Sequence, residues 1–138
     1  MTFAHLSTKF QSRYQRSAAR YSSRRPLLIK SATPLVSFTF DDFPRSALLA
    51  GGAILRRFGL TGTFYASFGL MGRTAPTGSI FVRQDLDVLR EQGHELGCHT
   101  FDHCHSWDTA TDVFERKLKV LRPQMRACRQ GKTWLTAD

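Results

Sequence analysis

Apolar positions follow two alternating rhythms along most of the chain. Short β-branched and aromatic runs at Leu35 to Phe40, about Thr61 to Ala66, and Glu95 to Thr100 predict three strands. Residues at helical spacing predict helices between and after them. The first runs from a Ser46 N-cap to Phe58, with Leu48, Leu49, Ala53, Leu55 and Phe58 as its apolar positions. The second spans about Arg83 to Gln92 with Leu86 and Leu89 on one face. The third spans about Asp108 to Arg126 with Val113, Leu118, Leu121 and Met125 as an imperfect stripe. Gly59 and Gly93 close the first two, and Pro123 disturbs the last turns of the third. Gly69 to Phe81, rich in Gly, Pro and Thr, reads as a loop. A β-α-β-α-β-α series of this kind predicts an α/β fold, barrel or doubly wound, with functional groups at strand C-termini.

The first thirty residues carry a separate pattern. Phe3, Leu6, Phe10, Tyr14 and Tyr21 fall at spacings of three, four and seven, which predicts a basic amphipathic helix from about Thr2 to Arg20. Met1 to Lys30 holds seven Lys/Arg and no Asp or Glu, so most of the formal net charge of +9 belongs to this segment. Several readings stay open for it: a solvated tail, a helix packed on the domain, a segment resembling a transit peptide, or a helix lying on an anionic membrane or nucleic acid. Its basic residues are not interleaved with a nucleic-acid fold signature, so membrane contact is the partner expectation and nucleic-acid binding is not expected. Ser31 to Pro34 reads as a linker. This makes residues 1–34 a helical or disordered extension and 35–138 the domain.

Composition narrows the class. With 41% hydrophobic residues and eleven Phe in 138 residues, the chain can build a core and is not a disordered protein. The absence of an apolar run of about 18 residues argues against a membrane-spanning helix, and the N-terminus lacks the apolar stretch of a secretory signal. Three cysteines, Cys98, Cys104 and Cys128, form no disulfide framework and point to a reducing compartment, so a cytoplasmic location is expected. Cys98 and Cys104 flank two histidines, which raises a structural Cys/His zinc site. Neither cysteine sits in a C-x-x-C pair, and both fit better as small buried residues.

The segments TFDD (Thr39–Asp42) and HTFDH (His99–His103) carry the candidate chemistry. Two imidazoles and one carboxylate on a metal ion leave coordination positions open for water and substrate, which is the arrangement of a catalytic site and suggests a hydrolase. Asp41 and Asp42 would point to opposite faces of a regular strand, but at a strand exit both can approach one pocket, one ligating and one transferring protons. The plain alternative is a turn in which an Asp caps the following helix. His99 and His103 have the i, i+4 spacing of one helical turn, and His94, His99, His103 and His105 fall within twelve residues.

The segment VSFTFDDFP resembles motif 1 of the polysaccharide deacetylase family (NodB homology domain, carbohydrate esterase family 4), and GHELGCHTFDH resembles its motif 2. The likeness covers roughly Leu35 to Leu121. It implies that Asp41 is the catalytic base and that Asp42, His99 and His103 ligate one divalent metal ion, zinc being the ion expected. It further implies an N-acetylated carbohydrate substrate, a polymer or a chitooligosaccharide, from which acetate is released. The family fold is a distorted (β/α) barrel, and even a compact barrel needs about 200 residues. A partial barrel is therefore expected here, with exposed edges through which the chain would self-associate.

Phe43 stands where the family usually has Gly, which suggests a differently shaped acceptor pocket. No Arg-x-Pro-Tyr segment, no later Asp-x-x-Asp-Trp and no terminal Leu-x-His follow the third helix, and Arg122-Pro123 is followed by Gln124. On this reading the chain is a truncated or frame-shifted copy. The alternative to a working deacetylase is a catalytically incomplete remnant that binds a metal or a partner.

Overall fold

The computed structural model describes residues 3–22, 28 and 30–131, and the side chains of these except 3–9 and 12. An N-terminal helix, α1 (Phe3–Ser22), precedes a three-stranded parallel sheet in the order β1 (Thr39–Asp41), β2 (Thr63–Ala66), β5 (Glu95–Cys98). The register pairs Phe40 with Phe64 and Phe64 with Leu96. These three residues and Ala66 share one face, and the helices of the core lie against it. Asp41, Tyr65 and Gly97 share the other face, because directly opposed residues of parallel strands point the same way. The fold is α/β as expected, and the described strands form an open sheet rather than a closed barrel.

Each strand is shorter than its apolar run. Leu35 and Val36 are largely exposed, and backbone pairing starts only where the Thr63 N–H donates to the Phe38 carbonyl. β2 begins after Gly62, so residues 35–37 have no strand beside them on that side.

The first predicted helix differs most. The chain turns helical at Arg45, just after Pro44, and Ser46 already has helical backbone angles with no side-chain cap. Ala47–Gly52 is a π-helix that continues into α2 (Ala53–Arg57). The wider π turn rotates the buried stripe to Leu48, Gly52 and Leu55, and leaves Leu49, Ala53 and Phe58 exposed. The Gly51-Gly52 pair weakens α-helical preference at that point. Gly52 also passes close to His94: a Cβ there would lie 2.9 Å from His94 Nε2.

The predicted loop 69–81 holds structure of its own. A 3-10 turn (Phe68–Leu70) leads into a hairpin of β3 (Thr74–Ala75) and β4 (Gly78–Ser79) with Pro76 and Thr77 at its tip. Ile80 then bridges back to Pro44 beside the site turn.

α3 (Arg83–Glu91) lies almost where expected and ends before Gly93, whose φ of 74° is the left-handed conformation glycine adopts at helix ends. α4 (Thr111–Arg129) runs three residues past its expected end. Pro123 removes one N–H donor but does not stop it, because Leu121 and Met125 on either side are buried in the core. α1 matches the predicted basic helix, although Thr2 lies outside the described residues, as does most of the C-terminal GKTWLTAD segment. Among the described residues no helix is long and apolar enough to cross a membrane.

Candidate functional site

The site assembles at the C-terminal edge of the sheet, where β1 and β5 give way to turns. Asp41 is the last residue of β1. Asp42 follows with a φ of 42°, a left-handed conformation in which Asp is one of the better-tolerated residues after Gly. That twist separates the two carboxylates and sends Phe43 back into the core. Phe43 is fully buried, stacked on Phe81 at 4.6 Å and edge-on to Phe64 at 5.2 Å. The expectation that Phe43 reshapes an acceptor pocket therefore fails, since its ring packs beneath the site instead of lining it.

His99 follows β5 directly. Its N–H donates to the Ala66 carbonyl at 3.1 Å, and its own carbonyl accepts from the fully buried Ser67 hydroxyl at 2.8 Å. His103 reaches the same place without a helix. Thr100 and His103 have φ of 64° and 58°, and this pair of left-handed residues curls the loop so that the two imidazole centroids lie 5.1 Å apart. The i, i+4 spacing predicted the proximity, but a loop and not a helical turn delivers it.

Asp42, His99 and His103 are brought together. His103 Nε2 lies 3.0 Å and His99 Nε2 3.9 Å from Asp42 Oδ2, and one ligand atom from each residue falls within 4.8 Å of the other two. Among the described residues this is the group of His, Cys, Asp or Glu side chains spaced to hold an ion. The second Asp42 oxygen, Oδ1, is buried without a hydrogen-bond partner. A buried orphan acceptor beside two imidazole nitrogens is the donor set a divalent cation satisfies, so the residues present fit a metal ion.

Asp41, Asp42 and His103 line one open cleft of about 660 Å³, whose opposite wall is the hairpin from Arg73 to Thr77. Asp102 lines it too. Lys117 on α4 holds that carboxyl at 2.7 Å, which keeps Asp102 below the usual carboxylate range and pins the loop to the helix.

The other candidates fall elsewhere. His94 is buried beneath the sheet, where its Nδ1 accepts the Gly62 N–H at 3.2 Å, and burial lowers its pKa. His105 is half-buried, stacked on Trp107 at 4.5 Å. Cys98 is exposed and Cys104 half-buried, and neither joins the ion-spaced group. Burial pushes the Cys128 thiol up to about 12, so it carries no thiolate for ligation or attack at neutral pH.

Sequence reasoning did not single out Ser67, Asp102, Lys117 or the hairpin wall. The Pro-Thr-Gly turn between two short extended pairs was the available signal for the hairpin. Ser67 and Lys117 carry no pattern that links them to residues more than a dozen positions away.

A family model described as polysaccharide deacetylase matches residues 29–135. No curated protein and no solved structure gives a significant match.

Proposed function

Because the chain belongs to the polysaccharide deacetylase family, we propose that it is a metal-dependent hydrolase that removes N-acetyl groups from an amino-sugar polymer or oligomer. The observation that carries this reading is the convergence of Asp42, His99 and His103 on one point, with Asp41 on the same cleft. Those three side chains would hold the ion, and zinc suits two imidazoles and one carboxylate. When bound, such an ion supplies Lewis acidity to an acetamide carbonyl.

The chain's own residues would do the rest. Asp41, on the opposite sheet face from the core, accepts a proton from the attacking water as general base. An acetyl-bearing sugar lies in the cleft between that carboxylate and the hairpin wall, with Arg73 and Pro76 among its neighbours. Asp102, already paired with Lys117, is a weaker base candidate, because a cation at 2.7 Å holds its proton affinity down.

The test is zinc stoichiometry together with acetate release from N-acetylglucosamine oligomers, wild type beside Asp41→Asn. Acetate release that needs both zinc and Asp41 is the expected outcome. One bound zinc without acetate release from any N-acetylated oligomer would replace this reading with that of a metal-binding family member that does not catalyse.

A further inference from the structure

Away from the cleft, α1 has a surface that the hydrolase reading does not use. At about 100° per residue, Phe10, Tyr14 and Tyr21 fall within roughly 40° of one another, and Arg13, Arg16 and Arg20 form a second stripe roughly 100° away. The aromatic stripe is bare: Phe10 is 70%, Tyr14 76% and Tyr21 79% exposed. The helix contains no acidic residue, and Arg13 and Arg20 have no carboxylate partner among the described residues. Arg16 instead lies 5.0 Å over the Trp107 ring, which ties the helix to the loop beyond the site.

Three large rings in water beside two cations without a carboxylate partner are a poor arrangement for a surface helix. They are a good one at the boundary between lipid headgroups and acyl chains, where aromatic rings settle and arginines meet anionic phosphates. The helix is about 30 Å long and too polar to span a bilayer, so it would lie in the plane of the surface. A polynucleotide would satisfy the arginines but leave the aromatic stripe in water unless its bases unstack. We propose that α1 is an interfacial anchor that docks the protein on an anionic lipid surface, aromatic stripe inward and Arg13 and Arg20 at the phosphates.

The experiment is co-sedimentation of the full chain with vesicles of phosphatidylcholine alone or with phosphatidylglycerol added, at low and high salt. Duplex DNA serves as competitor. Binding should require the anionic lipid and should be lost at about 0.5 M salt, where screening leaves a Debye length of only a few Å. Arg13→Gln with Arg20→Gln should weaken it roughly 30-fold, and Phe10→Ser with Tyr14→Ser and Tyr21→Ser roughly tenfold. Circular dichroism and the unfolding midpoint of the same variants separate lost docking from lost folding. Equal binding to neutral vesicles, no binding at low salt, or displacement of vesicles by DNA would each overturn the proposal.

Discussion

Asp41 and Asp42 are chemically identical neighbours that the backbone treats differently. Asp41 ends a strand with an exposed side chain, whereas Asp42 sits at φ 42° with one oxygen against His103 and the other buried and unpartnered. Those surroundings support the proposed division of labour. Asp42→Ala, His99→Ala and His103→Ala should each lower zinc affinity by about 100-fold or more, since each would remove one of the three proposed ligands. Asp41→Asn should change it less than about threefold. Competition titration against a chelator of known affinity measures all four, and equal losses across them would refute the assignment. At this scale the residue types were legible and their backbone was not. The TFDD and HTFDH segments announce ligand chemistry, but nothing in the β-branched Thr100 signals a left-handed conformation, and His103 is merely of a type that tolerates one. Phe43 misled for the same reason, because one left-handed residue before it reverses the direction in which its ring points.

Elements were legible where one local rule acted alone. α3 was read almost to the residue because an apolar pair, a closing Gly and a neighbouring strand all agree. The π-helix was not, since it buries Gly52 close against His94, an approach made across about forty residues. α3 also holds the site turn in place. Asp85 is buried, accepts the Val82 N–H at 2.8 Å and grips Arg45 through two bonds of 2.9 and 3.1 Å. Arg45 lies three residues beyond Asp42, so the helix start and the Asp42 turn are joined. Asp85→Ala should cost about 2 kcal/mol, a value kept below that of a wholly buried pair because the Arg45 side chain is 44% exposed. Adding Arg45→Ala to that variant should cost little more, which urea unfolding of the double-mutant cycle would check. Additive losses would mean that the two side chains are not coupled.

For the molecule as a whole, the open sheet leaves β1 and β5 as its two edges with β2 between them, so no backbone bond joins the strand that delivers Asp42 to the one that delivers the histidines. The three strands of the parallel sheet could be read from the apolar runs, whereas the β3–β4 hairpin could not. What brings the far ends of the sheet strands together could not either, because that is decided by turn conformations rather than by periodicity. An ion held by Asp42, His99 and His103 would be a tie across the sheet, closing a segment of about sixty residues that the core alone constrains. Binding to the folded state alone stabilises it by about 2.7 kcal/mol at a hundredfold excess over the dissociation constant. For a chain of this size that corresponds to a rise in unfolding midpoint of about 10 °C. Zinc should produce such a rise, a chelator should reverse it, and magnesium at the same concentration should not reproduce it, since imidazole ligands favour the softer ion. The shift should vanish in His103→Ala and persist in Asp41→Asn. If it persisted equally in both, the stabilising ion would sit elsewhere on the protein, and the cleft would lose its claim to be the metal centre.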